Sequence, residues 1–287
     1  MVLRNGFCGV VFGVSLSLIA CDGSSTSGPG GGGAGASTST GGGGSGGVGG
    51  TTGGSGGIGG GIGGMGTGGG ATTSTGGGLP ANATFHLNYT QVKDWSKCAE
   101  RDFVVFDLLD TPKADFGMCK ASGAKMLCYF SSQYEDWRDD AGDFGALAEP
   151  LDGWPGENWV DPSDPANLNV MKARLYIAVE KGCDGVDVDN IDHAGHEDYI
   201  GAIFDEARAR GLLVSQKNAI EKIDLFWNKV DLYQNEQCQE YNECAAYEGL
   251  GRPVHNIEYS PCKILPYLYS HRKDVEKMDA WEEACSP

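Results

Sequence analysis

Eight short runs of β-branched and aromatic residues recur between Phe85 and His271, and nearly every run begins apolar and ends polar. They are FHLNY from Phe85, FVVFDLL from Phe103, KMLCYFS from Lys125, GVDVDN from Gly185, LLVSQKN from Leu212, DLYQNE from Asp231, VHNIEY from Val254 and YLYSH from Tyr267. Runs of this length with helical stretches between them read as strands of a parallel sheet. The clearest helix spans 167–181, where Val170, Met171, Leu175, Ala178 and Val179 keep helical spacing and Gly182 ends it. A second spans 198–210, closed by Gly211. An open doubly wound sheet would show a Gly-rich phosphate turn after its first strand, and FHLNYTQV has none. The expected fold is therefore α/β, a closed (β/α)8 TIM barrel.

The polar endings are Asn88, Asp107, Tyr129, Asp187 with Asp189, Lys217 with Asn218, Glu236 and Glu258. Turn chemistry accounts for two or three of them. In a barrel, the C-terminal ends of the strands build the active site. The period of a strand puts Asp187 and Asp189 on one face about 7 Å apart, with Asp189 at the rim and Asp187 one layer below. Asp189 on the fourth strand and Glu236 on the sixth then face each other across the mouth. Glycosidic cleavage needs such an opposed pair, one acid to protonate the leaving oxygen and one to attack or to activate water. Trp137, Trp154, Trp159, Tyr129 and Tyr259 are candidate platforms for sugar rings, although such aromatics more often fill cores.

Other chemistries fit less well. Neither GxSxG nor HExxH occurs, and His86, His193, His196, His255 and His271 are scattered. DVDNID departs from the EF-hand loop, because Ile191 takes the fifth place and no Gly follows. The pair in HAGH, His193 and His196, reads as loop. No metal and no cofactor is expected.

Residues 22–78 are Gly, Ser, Thr and Ala with almost nothing else, and no Lys, Arg, Asp or Glu lies between Asp22 and Lys93. Such a stretch cannot bury a core and reads as a disordered linker with a reach of about 40 Å. Ahead of it, Arg4 and the apolar run from Phe7 to Ala20 have the form of an export signal, too short to span a bilayer comfortably. LIAC, ending at Cys21, matches the bacterial lipoprotein box, in which the cysteine is acylated. The expected organisation is a signal at 1–20, lipidated Cys21 with linker at 21–78, and a folded domain at 79–287. It places the domain outside the cytoplasm, lipid-anchored at a bacterial cell envelope.

The net charge of −18 falls almost wholly on that domain. It disfavours nucleic acid and anionic polysaccharide as partners and favours something neutral or cationic. Of ten cysteines, Cys8 lies in the signal and Cys21 takes the lipid, leaving Cys98, Cys119, Cys128, Cys183, Cys238, Cys244, Cys262 and Cys285. An even number in an exported domain reads as disulfides, with about a hundred pairings open. Cys238 with Cys244 is the best local candidate. No CxxC occurs to favour zinc.

CYFSSQYEDWRDDAGDF from Cys128, LDGWPGENWVD from Leu151, KGCDGVDVDN from Lys181, NEQCQEYNEC from Asn235 and HNIEY from His255 together resemble glycoside hydrolase family 114. That family holds endo-α-1,4-polygalactosaminidases and related domains acting on amino-sugar exopolysaccharides. The likeness covers nearly the whole domain after the linker, with the motifs in family order. It implies a (β/α)8 barrel, Asp189 as nucleophile, Glu236 as acid/base and Asp187 as a supporting acid. Asp107, Tyr129, Asn190, Lys217, Asn218 and Glu258 are implied amine or hydroxyl binders. A site lined by this many carboxylates suits a sugar with a free ammonium group. NEQCQEYNEC keeps the family spacing of Cys238 and Cys244, whereas FHLNYT departs from a first strand rich in Trp and Gln. The expected function is endo-acting, retaining hydrolysis of a galactosamine polymer by a monomer. The alternative is a carbohydrate-binding lipoprotein that uses the same cleft without turnover, and the presence of both acids favours the enzyme.

Overall fold

The computed structural model describes residues 78–91 and 93–287. The export signal, Cys21 and all but the last residue of the linker lie outside the described residues. In chain order the strands are β1 (Phe85–Asn88), β2 (Phe103–Asp107), β3 (Lys125–Ser131), β4 (Tyr134–Glu135), β5 (Leu147–Pro150), β6 (Glu157–Val160), β7 (Gly185–Asp189), β8 (Leu213–Lys217), β9 (Leu232–Glu236), β10 (Val254–Glu258), β11 (Tyr269–Arg272) and β12 (Glu283–Ala284). The α-helices are α1 (Ser96–Glu100), α2 (Lys113–Lys120), α3 (Pro165–Lys181), α4 (Glu197–Ala209) and α5 (Ile223–Phe226).

All eight predicted runs become strands of one sheet, ordered β1-β2-β3-β7-β8-β9-β10-β11 and parallel throughout. The architecture is α/β and TIM-barrel-like. Alternation along each strand divides the core in two. Phe85, Leu87, Phe103, Val105, Leu127, Leu232 and Ile257 pack together on one face. Val104, Phe106, Met126, Phe130, Val186, Val188 and Val214 pack with the helices on the other. Each such side chain, fully buried, contributes about 1.5–3 kcal/mol of transfer free energy. The inner face is crowded: a Cβ on Gly185 would stand 2.7 Å from Leu213 Cβ and 2.8 Å from Leu127 Cδ2.

Helix α3 begins two residues before its predicted start. Pro165 occupies the first turn, and the Asp164 carboxylate accepts the N–H of Ala166 at 2.9 Å as its N-cap. Gly182 ends it in the left-handed conformation, φ 83°. Two features depart from a regular (β/α)8 repeat. Among the described residues no α-helix follows β9, β10 or β11; these connections carry the disulfides Cys238–Cys244 and Cys262–Cys285 instead. Backbone pairing also ends on the short antiparallel β12 beyond β11. The return to β1 is made by Lys273 Nζ donating to the Leu87 carbonyl at 2.7 Å, by Tyr89 N–H donating to the Met278 carbonyl at 2.9 Å, and by a His86–Glu282 contact of 2.7 Å.

Strands β4, β5 and β6 form a separate antiparallel sheet, ordered β4-β6-β5, in the connection after β3. Arg174 on α3 fastens this insert. Its fully buried guanidinium donates to Asp140 at 2.8 and 2.9 Å and to the Ser131 carbonyl at 2.8 Å. The remaining disulfides are Cys98–Cys119 and Cys128–Cys183. Among the described residues no helix is long and apolar enough to cross a membrane.

Candidate active site

The inner face changes character along the strands. Above the apolar layer, the inward positions near the C-terminal ends are Asp107, Tyr129, Asp187, Asp189, Lys217, Gln234 and Glu236. Strand register sets Tyr129 beside Asp187, Ser131 beside Asp189, and Asp187 beside Ser215.

Lys217, 4% exposed, lies between the two strands that carry the acids. Its ammonium donates to Asp189 Oδ2 at 2.7 Å and contacts Glu236 Oε2 at 3.0 Å. Burial opposes its charge, but Asp189 and Glu236 outweigh that and hold the ammonium well above its ordinary pKa. Because one ammonium touches both acids, their nearest oxygens are no more than about 6 Å apart, a bound within which the roughly 5 Å of retaining glycosidases falls.

Each carboxylate is oriented by further donors. Tyr129 donates its hydroxyl to Asp189 Oδ2 at 2.8 Å, and the N–H of Asn190 donates to Asp189 Oδ1 at 2.8 Å. Tyr259 donates to Glu236 Oε1, and Asn218 Nδ2 donates to Glu236 Oε2 at 3.1 Å while its Oδ1 accepts the Glu236 N–H at 2.8 Å. Burial alone would raise the Glu236 carboxyl; Lys217, Tyr259 and Asn218 instead hold it below the usual range. Glu236 is thus ionised in the empty site. Tyr89, stacked on Tyr129 at 4.0 Å and accepting from Gln234 Nε2 at 3.3 Å, completes the wall.

Asp187 is fully buried one layer down, against 9% exposure for Asp189. Neither of its oxygens meets a donor in good geometry, and the Ser215 hydroxyl on the next strand is the polar group that faces it. Burial, reinforced by Asp189 and Glu236, pushes Asp187 up to about 7 against the pull of Ser215 and Lys217.

The other predicted site residues are placed differently. Asp107 is buried, accepts from the N–H groups of Leu109 and Asp110 at 2.8 and 2.7 Å, and is clamped by Arg138 at 2.8 and 3.2 Å. Asn190, at φ 57°, is pinned between Asp189 and Ser131. Glu258 stands apart from the Lys217 cluster, accepting from the Gln239 N–H and from Asn256 Nδ2, both at 2.9 Å. Cys238 and Cys244 are joined. They and Glu258 are the one group of three metal-ligating residues whose donor atoms come within 4.8 Å among the described residues, and the bonded sulfurs offer no thiolate. Trp137 and Trp154 are exposed on the insert, and Trp159 packs against His193 at 4.6 Å.

Several site residues escape the sequence reading, among them Tyr89, Glu135, Arg138 and Glu157. Tyr89 was legible, since the period of Phe85 and Leu87 selects it rather than Asn88 as the inward end of the first run. The others lie in or beside the insert, whose short strands carry no alternating signal.

The model of glycoside-hydrolase family GH114 matches residues 70–286. A crystal structure of Aspergillus fumigatus Ega3 in complex with galactosamine is similar over 72% of this chain and 96% of its own, with 27% identity and a TM-score of 0.65. The glycoside hydrolase domain of PelA from Pseudomonas aeruginosa shares the fold over 72% of this chain and all of its own, with 14% identity and a TM-score of 0.57. No curated protein matches the chain in sequence.

Proposed function

The chain belongs to glycoside-hydrolase family GH114, and from that premise we propose that it is an endo-acting glycosidase cleaving α-1,4-linked galactosamine-containing exopolysaccharide. The carrying observation is the pair Asp189 and Glu236, held around one ammonium within a separation that allows a retaining mechanism. In this reading Asp189, oriented by Tyr129 and Asn190, attacks the anomeric carbon. Glu236 gives a proton to the leaving oxygen and later activates water. The acid step requires Glu236 to gain a proton as substrate binds, and a sugar that draws Lys217 away removes the charge that keeps it ionised.

A hexosamine as the repeating unit is supported by the acidic domain and by the galactosamine bound to Ega3. Exposed Trp137 and Trp154 on the insert suit a chain that extends beyond the cleavage point. We further propose that the domain is a closed, monomeric (β/α)8 barrel, tethered through Cys21 to a bacterial envelope so that it works on nearby matrix.

Incubating the purified protein with α-1,4-galactosamine oligomers of defined length, and reading products by mass spectrometry, tests the assignment. Internal cleavage to shorter oligomers supports it. Tight binding without shortening points to a carbohydrate-binding lipoprotein, and neither binding nor cleavage rejects the substrate.

A further inference from the structure

One carboxyl beside the cleft has no cation. Glu135 and Glu157 stand directly opposite each other in the β4–β6 pair and are only 3% and 8% exposed. Facing residues of an antiparallel pair lie about 5 Å apart at Cβ, where like charges repel. Glu135 is neutralised by Arg138 at 3.1 Å and Arg174 at 3.4 Å, and Arg138 is itself tied to Asp107 at 2.8 Å. Among the described residues no lysine, arginine or histidine pairs with Glu157. Its hydrogen bond comes from Asn190 Nδ2 at 3.4 Å, and the same Asn190 donates its backbone N–H to Asp189. The Asn190 carbonyl is gripped by Ser132 Oγ at 2.9 Å and Gln133 Nε2 at 3.0 Å. A single fixed residue thus connects Glu157 to the acid at the rim.

Resting on the reading of the chain as a hexosamine-polymer glycosidase, we propose that Glu157 is an ammonium-binding residue of the cleft, taking the charged amine of a sugar unit as its missing counter-ion and so selecting free amine over N-acetylated sugar. The groups that face it are Glu135 from β4, Arg138 from the turn after β4, Asp189 from β7, Asn190 just after β7, and Lys217 from β8. Burial, with Glu135 and Asp189, pushes its carboxyl up to about 8 against the pull of Lys217 and Arg138, so the empty site holds it protonated near neutrality. An arriving ammonium supplies the absent charge; the carboxyl ionises, its proton passes to solvent, and an ion pair remains. An acetamide brings no charge and leaves the proton in place.

Calorimetry of the full chain with galactosamine, run at pH 6 in two buffers of different ionisation enthalpy, counts this proton. Amines of this kind titrate near about 8 and are fully charged at pH 6. The parent is expected to release close to one proton more than Glu157→Gln, which binds at least tenfold more weakly, and Glu157→Asp to restore that difference. N-acetylgalactosamine is expected to bind parent and Glu157→Gln alike. In turnover of oligomers, the preference for free amine over N-acetylated substrate falls about tenfold in Glu157→Gln, through KM. Equal proton release from parent and Glu157→Gln, or an unchanged preference, overturns the inference and leaves the glycosidase reading intact where the parent cuts. Proton-linked binding without any cleavage supports the inference and rejects the glycosidase; no binding of galactosamine at all rejects the inference.

Discussion

Lys217 and Asp189 meet in a buried ion pair of 2.7 Å, and the same ammonium reaches Glu236 at 3.0 Å. Replacing Lys217 by Met leaves two acids facing each other uncompensated. Breaking a buried pair from one side costs about 3–5 kcal/mol, so the urea midpoint is expected to fall markedly. Glu236, the general acid, also loses the charge that holds its carboxyl down, and the alkaline limb of the activity profile, where its proton is lost, moves to higher pH. An alkaline limb unmoved in Lys217→Met would show that Lys217 does not set the state of Glu236.

Tyr129 and Tyr259 each give one hydroxyl to one acid. Hydrogen bonds to charged groups contribute about 1.5–3 kcal/mol. Tyr129→Phe and Tyr259→Phe are therefore expected to lose roughly tenfold to a hundredfold in kcat/KM by steady-state kinetics and to melt at a lower temperature. Near-parent rates in both would remove the hydroxyls from the account.

The strands and the principal pair were legible because they depend on period-2 patterning: GVDVDN places Asp187 and Asp189 inward without further information. The same rule cuts against polar run endings taken at face value. Glu258 shares a face with Asn256, to which it is hydrogen-bonded, while Ile257 of β10 and Tyr259 just beyond it join the inner cluster. The insert was not legible, because residues 134–160 hold many acids, four glycines and two prolines, and few β-branched residues; its order comes from Arg174, a long-range partner on α3. Disulfide partners were equally hidden, since Cys128 and Cys183 meet only after β3 and β7 pair.

The buried histidines lower stability in mild acid. His86, His255 and His271 are buried near the β11-to-β1 junction, and burial holds each below its ordinary value, with His271 at about 3. The unfolded chain takes up these protons from about 6.5 downward while the folded chain resists, so the contribution is complete above pH 6.5 and fades as pH falls towards 3. Asp187 and Glu157, pushed up to about 7 and about 8, act in the opposite sense, so the histidine contribution is read as the difference in urea midpoint between the parent and His271→Gln, which is expected to shift against the parent as pH falls from 7 to 4. A difference that stays constant over that range would contradict a neutral, buried His271.

Cys128–Cys183 closes a loop of 55 residues that contains the insert and α3. Loop-closure entropy alone gives about 4 kcal/mol for a ring of this size, and measured losses run about 2–5 kcal/mol. The double Cys→Ala variant is expected to unfold at clearly lower urea than the parent under oxidising conditions, and at a similar concentration once both are reduced.

The pairing of Asp189 with Glu236 as the two acids of hydrolysis is tested most directly by comparing the parent with Asp189→Asn and Glu236→Gln on α-1,4-galactosamine oligomers, with products read by mass spectrometry and folding checked by melting. The account predicts shortened oligomers from the parent and rates lower by at least about a thousandfold in each folded variant. A folded Asp189→Asn or Glu236→Gln that cuts at the parent's rate would contradict it.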